Sequence, residues 1–113
     1  MNKKNFYNNK KVLISGATGF KGAWLSKWLI MLGANVYGLG YAPNKNKKLF
    51  NQLNLKKKIN LKNIDIRNYN LLNRYLNKIK PEIVFHLAAQ PIISRSYEIP
   101  MYTYEVNTLG TLN

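Results

Sequence analysis

The sequence contains no cysteine, a single histidine and only four acidic residues among its 113 positions. Without a thiol there is no disulfide framework and no thiolate metal site. His86 alone cannot assemble a zinc centre, so no metal is expected. The lack of cysteine also suits the cytoplasm, where the chain is placed. Long apolar runs are missing too. Lys27 and three glycines interrupt the fairly apolar stretch from Ala23 to Ala42, which argues against a membrane span. Met1 to Lys11 is polar and basic, with no apolar segment of the signal-peptide kind.

The scarcity of acids leaves 18 basic residues and a formal charge of +14. Such an excess can mark a nucleic-acid partner. Here the lysines are scattered over the N-terminal arm, Lys45 to Lys48, Lys56 to Lys58, and Lys78 and Lys80. No aromatic residues interleave with them as a base-stacking platform requires. The charge is therefore read as compositional drift, with neither nucleic acid nor membrane as a partner.

What the sequence does have is a strand, a glycine turn and a helix between Lys11 and Gly33. Val12, Leu13 and Ile14 form a short apolar run, as in a strand buried on both faces. Gly16, Gly19 and Gly22 follow at a spacing of three, and then Phe20, Trp24, Leu25, Trp28, Leu29 and Leu32 recur with helical period. Gly33 stops the helix as a left-handed cap. Physically the turn fits a phosphate. Gly16 lets the chain reverse, Gly19 lets backbone approach an anion, and Gly22 lets the helix pack closely. The unpaired N–H groups of the helix start carry partial positive charge. Lys21 lies in the first turn, where a cation opposes the helix dipole. A bound pyrophosphate would relieve that conflict; a side chain reaching into water would also explain it.

Further on, Asn35 to Leu39 reads as a second strand, with Pro43 and Asn44 as turn residues in the loop from Gly40 to Lys48. A short helical turn is expected over Leu49 to Leu53. A third strand is expected within Ile59 to Ile66, in its later part, Asn63 to Ile66. Asn68 caps a helix over Tyr69 to Ile79, which Pro81 ends. Glu82 to Leu87 reads as strand four, Ala88 to Tyr97 as a loop, and Pro100 as the first turn of a last helix. Alternating strands and helices predict an α/β fold of Rossmann type: a parallel sheet in the order 3-2-1-4 with flanking helices, incomplete. Residues 1–10 form a polar, basic, solvated arm. Residues 11–113 are expected to form the N-terminal part of a dinucleotide-binding domain; the family resemblance described below implies that it is cut short in the fourth helix. Ligands of such sheets bind at the carboxyl ends of the strands flanking the switch point. There the first turn faces His86-Leu87-Ala88-Ala89-Gln90, where two alanines leave room for a flat ring or ribose.

These motifs together resemble the extended short-chain dehydrogenase/reductase family. Its fingerprint is matched by Ser15-Gly16 to Gly22 (Ser replacing Thr), Asp65-Ile66-Arg67, His86 to Ala89, and Asn107 to Asn113. The Gly-Phe-Lys-Gly turn, Gln90-Pro91 and Arg95-Ser96-Tyr97 narrow the resemblance to the CDP-glucose 4,6-dehydratase branch. The resemblance implies tightly held NAD, contacted by Gly16, Thr18, Gly19, Phe20, Lys21, Gly22, Asp65, Ile66, Leu87, Ala88, Ala89, Gln90 and Asn107. Asp65 would bond the adenine amino group. CDP-glucose or a related nucleotide sugar would meet Arg95, Ser96 and Tyr97. The implied reaction oxidises the sugar at C4, removes water across C5 and C6 and returns the hydride to C6, in a homodimer. Another nucleotide-sugar epimerase or dehydratase, or a non-catalytic dinucleotide module, stands as the alternative.

Two departures stand out. Leu39-Gly-Tyr-Ala-Pro-Asn44 ends strand two without the carboxylate that binds the adenosine ribose, and Lys45 would suit a 2′-phosphate, so NADP stays open beside NAD. The catalytic Tyr-x-x-x-Lys of the family is also absent. Tyr7 with Lys11 and Tyr41 with Lys45 match its spacing outside any helix, so no catalytic residue is assigned and the chain is expected to be inactive alone.

Overall fold

The computed structural model describes residues 6–41 and 47–113. The readings placed on Pro43, Asn44 and Lys45, and on the first five residues of the arm, lie outside them. The strands are β1 (Lys11–Ser15), β2 (Asn35–Gly40), β3 (Asn60–Asn63) and β4 (Ile83–His86). They form one parallel sheet in the order β3-β2-β1-β4, the order expected from alternation and right-handed crossovers. The helices are α1 (Phe20–Met31), α2 (Lys48–Gln52), α3 (Tyr69–Ile79), α4 (Ile93–Glu98), α5 (Pro100–Tyr104) and α6 (Gly110–Leu112). A π turn over Glu105–Leu109 joins the last two, and a 3-10 turn, Leu55–Lys57, precedes β3.

Alternation along β1 builds a core on each face of the sheet. Val12 and Ile14 pack with Ala23, Leu29 and Phe50 on the α1 side. Leu13 packs with Leu39, Ile66, Leu72 and Val106 on the side of α3 and the C-terminal helix. Asn68 caps α3 as expected, its side chain accepting from the Leu71 N–H at 3.1 Å. Gly33 ends α1 at φ +85°, a conformation open to glycine.

Several elements differ from the sequence reading. The third strand is Asn60–Asn63, not Asn63 to Ile66. Ile64 and Ile66 are buried, but only Ile64 reaches the neighbouring backbone, its N–H donating to the Gly40 carbonyl. Asp65 then accepts the Arg67 N–H and bends the chain away from the sheet. The loop from Ala88 to Tyr97 contains α4, whose entry is fixed by the Ile92 N–H on the Gln90 Oε1 at 2.9 Å. The arm is not wholly solvated: the Asn9 N–H bonds the Gly33 carbonyl and Tyr7 packs against the α1-side core.

The aromatic stripe of α1 faces outward. Trp24 and Trp28 are 49% and 64% exposed, while Gly22, Ala23, Ser26 and Leu29 face the sheet. A helix apolar all round has no sequence signal for its buried face. Close approach decides it, because a Cβ on Gly22 would collide with the Gly16 carbonyl. Only a small-residue face fits so near the turn.

Candidate functional site

The carboxyl ends of all four parallel strands lie along one edge of the sheet, and that edge collects most residues singled out from the sequence. After β1, Gly16 takes φ +72°, and a Cβ there would lie 2.8 Å from the Ala88 nitrogen. Gly16 therefore both turns the chain and lets the loop after β4 close against it. Gly19 is different. It has φ −75° in extended backbone, and its Cβ would meet only the Gly16 carbonyl, at 3.4 Å. No strain forbids a side chain there; the space above it is open.

Gly19 is the N-cap of α1, with no side-chain cap and no acidic residue in the first turn. The first N–H groups of a twelve-residue helix are thus left without a side-chain acceptor beside an open approach. This arrangement fits a pyrophosphate group. Phe20 and Lys21 are exposed at the helix start. Thr18 is 3% exposed, with its side chain beside Gly40.

The β4 side is built by side chains. Ser15 Oγ lies 2.6 Å from His86 Nδ1 and accepts from the Leu87 and Ala88 N–H groups at 3.0 and 3.2 Å. With both lone pairs occupied, its own proton goes to Nδ1. This assigns the imidazole proton to Nε2, which donates to Thr111 Oγ1 at 2.9 Å, and Thr111 donates to the Asn107 carbonyl. Asn107 and Gln90 are paired reciprocally: the Gln90 N–H donates to Asn107 Oδ1 at 2.8 Å, and Asn107 Nδ2 donates to the Gln90 carbonyl at 3.0 Å. The Gln90 side chain turns inward to Ile92 and Thr103. Asn107 and Gln90 thus shape the loop rather than present free side chains. The π turn brings Asn107 to that loop, and such turns recur at functional sites. Leu87 and Ala89 are exposed on the loop and Ala88 is half-buried.

At the end of β3, Arg67 grips Asp65. Its Nε lies 3.1 and 3.0 Å from the two carboxylate oxygens, and Nη2 lies 2.6 Å from Oδ2. Arg67 Nη1 bonds Glu105 Oε2 at 2.9 Å, and the guanidinium sits 4.7 Å from the Tyr102 ring centroid. Burial pushes the Asp65 carboxyl up, but the hydrogen bonds and charge of Arg67 outweigh it and hold it below its ordinary value. Asp65 raises the Arg67 guanidinium in turn. Ile66 is buried, its side chain against Gly110. An open cleft of about 530 Å³ runs outside this cluster, lined by Asp65, Arg67, Asn68, Tyr69 and the C-terminal helix.

Arg95, Ser96 and Tyr97 lie on α4. Tyr97 is 84% exposed, and Ser96 Oγ bonds the Ile93 carbonyl. Tyr7 and Lys11 form no catalytic pair: Tyr7 packs against the α1-side core and Lys11 Nζ bonds the Ile79 carbonyl. Among the described residues no group of acids and histidine could hold a metal, and no helix is long and apolar enough to cross a membrane. Sequence reasoning gave Ser15, Arg67, Thr111 and Glu105 no role. The signal for Arg67 was its place two residues after Asp65, within reach of a bidentate grip.

A family profile described as GDP-mannose 4,6 dehydratase matches residues 13–113. CDP-glucose 4,6-dehydratase of Salmonella typhimurium is 43% identical over 110 residues, covering 97% of this chain and 31% of that protein. GDP-mannose 4,6 dehydratase 1 of Arabidopsis thaliana is 36% identical, covering 91% of this chain and 30% of its own. The structure of the epimerase Mth375 from Methanothermobacter thermautotrophicus superposes with a TM-score of 0.84 at 30% identity, covering 99% of this chain and 32% of that one. The chain thus spans about a third of the length of the relatives it matches. With the glycine turn, the β4 loop and the Asn107 helix all inside the matched region, this chain belongs to the nucleotide-sugar dehydratase and epimerase family described as GDP-mannose 4,6 dehydratase.

Proposed function

We propose that these residues are the NAD-binding part of a nucleotide-sugar 4,6-dehydratase that acts on CDP-glucose. The observation that carries the reading is the start of α1: an uncapped twelve-residue helix behind Gly16, with open space at Gly19. Its N–H groups would hold the pyrophosphate, and Lys21 would add a cation beside it. Asp65 would accept from the adenine amino group. Ala88 and Ala89, on the loop that Ser15, Asn107 and Gln90 shape, would leave room for the nicotinamide end. When bound, NAD would supply a reversible hydride acceptor. The Gly-Phe-Lys-Gly turn, the Gln90-Pro91 dipeptide and the Salmonella relative favour CDP-glucose over other sugar nucleotides. Proton transfer to and from the sugar needs a base beside the cofactor, and on this reading that base is not assigned to any tyrosine of these residues.

The test is calorimetric titration of the folded chain and its Gly19→Val variant. A side chain at this extended position fits the backbone, so the variant should keep its circular dichroism spectrum. Its methyl groups would occupy the approach to the helix start. NAD should bind the parent and fail to bind Gly19→Val, and at saturating NAD the parent should prefer CDP-glucose to GDP-mannose. A folded Gly19→Val chain that binds NAD like its parent would remove the cofactor reading. A preference for GDP-mannose would remove the choice of sugar nucleotide.

A further inference from the structure

We propose that Arg67 is a positioning residue for adenine: it fixes the orientation of the Asp65 carboxylate and thereby sets the preference for a base that donates a hydrogen bond. The inference rests on the reading above that the adenine of NAD lies at Asp65.

A carboxylate has about four acceptor positions. Arg67 reaches it with its backbone N–H, with Nε shared between both oxygens, and with Nη2. A planar fork with two points of attachment fixes the plane of the carboxylate, which a single point charge would not. Arg67 is itself held from behind, by Glu105 Oε2 at 2.9 Å and by the Tyr102 ring. The guanidinium therefore cannot swing outward to follow a ligand. The Tyr41 hydroxyl, from the residue that follows β2, adds a weaker pull that holds the Asp65 carboxyl low. Tyr41 is half-exposed, so water can take over its hydroxyl and leave the carboxylate open to an outside donor.

The ligand chemistry follows. Adenine offers an N–H at its 6-position, whereas hypoxanthine offers a carbonyl oxygen there. A carboxylate locked in place accepts from the first and faces the second with an unrelieved repulsion. A carboxylate free to rotate turns away from the carbonyl and loses most of the discrimination. A site built around one hydrogen bond rejects the analogue that cannot make it. The same lock ties the β3 end to the π turn carrying Asn107, so the two ends of the binding edge are held together.

The experiment compares NAD with nicotinamide hypoxanthine dinucleotide by calorimetry on the 113-residue chain, with Arg67→Met and Arg67→Lys, each checked for fold by circular dichroism. The parent should favour NAD by roughly tenfold or more. Arg67→Met should bring the two affinities within about twofold, and Arg67→Lys, which keeps the charge but not the fork, should fall between. Should Arg67→Met not fold, the intermediate ratio of Arg67→Lys decides. An unchanged ratio in the folded variants would overturn the role of Arg67, as would a parent that binds both dinucleotides equally. A parent that binds neither would instead remove the cofactor reading on which this one rests.

Discussion

The two sides of the binding edge are made by opposite means. After β1 the site consists of missing side chains: Gly16 at positive φ, Gly19 with open space, and a helix start that no side chain caps. At the ends of β3 and β4 it consists of side chains that bind each other: Arg67 on Asp65 and Glu105, Ser15 on His86, Asn107 on Gln90. The first half leaves the start of α1 without a side-chain acceptor, the arrangement the proposed anion site needs. The second satisfies its own groups and presents the few that remain. Stability and the proposed ligand contacts are therefore distributed unequally between the two halves.

The sharpest way to break this contrast lies within the glycine turn itself. Gly16→Ala places a Cβ at 2.8 Å from the Ala88 nitrogen and 2.9 Å from the Leu87 carbonyl carbon, on a residue at φ +72°. Left-handed backbone strain of about 1–3 kcal/mol adds to overpacking of about 1–3 kcal/mol. Urea denaturation should show a loss of roughly 2–6 kcal/mol, enough to unfold much of a small domain. Gly19→Val, three residues further along the same turn, should leave the midpoint nearly unchanged and act on binding alone. Equal destabilisation by the two would show that the open space at Gly19 belongs to folding and not to a ligand.

How much of this was legible in the sequence follows the same division. The glycine turn was legible because spacing and backbone conformation are local: three glycines between an apolar run and a helix leave few alternatives. The sheet order followed from alternation and handedness. The boundaries of β3 were not legible, because Ile64 and Ile66 read as strand while Asp65 turns the chain by binding the Arg67 N–H. The buried face of α1 was hidden because hydrophobic residues surround that helix. The clamps were hidden for a different reason. Ser15 and His86 are 71 residues apart, and Arg67 and Glu105 are 38 apart, so their pairing is a product of topology. The motif marks Gln90 and Asn107 without showing that the Asn107 side chain bonds the Gln90 backbone or that the Gln90 side chain bonds Ile92 and Thr103.

The β4 clamp gives the intermediate effect. Ser15→Ala removes the acceptor of the Ala88 N–H and the donor to His86 Nδ1, while the Leu87 N–H keeps the Ser15 carbonyl at 3.1 Å. One part-buried backbone donor and one imidazole nitrogen lose their partners, at a cost of about 1–3 kcal/mol. Ser15→Thr keeps the hydroxyl and should recover most of that loss in the same urea titration. Equal loss in both variants would mean that packing of the 4%-exposed side chain, and not its hydrogen bonds, ties β1 to β4.

The smallest effect should appear at the Asp65–Arg67 pair, read as the pH dependence of stability. The folded chain holds the Asp65 carboxyl below its ordinary value of 3.8, because the bonds to Arg67 outweigh the burial that pushes it up. A carboxyl depressed on folding favours the folded state once it is ionised in both states. Its contribution is fully present above the ordinary value and disappears as pH falls through the lower, folded one. Arg67 stays charged throughout this range. The pair is partly exposed, with side chains 28% and 20% accessible, so the contribution is on the order of 1 kcal/mol. Asp65→Asn keeps the shape of the side chain but has no proton to bind. Urea midpoints measured from pH 7 downward should therefore show the parent more stable at neutral pH and the two chains converging as Asp65 becomes protonated. A constant gap over the whole range would mean that Arg67 does not hold the carboxylate as an ion pair. The order of the β3 end would then rest on the Arg67–Glu105 bond and on packing of Tyr102 and Ile66.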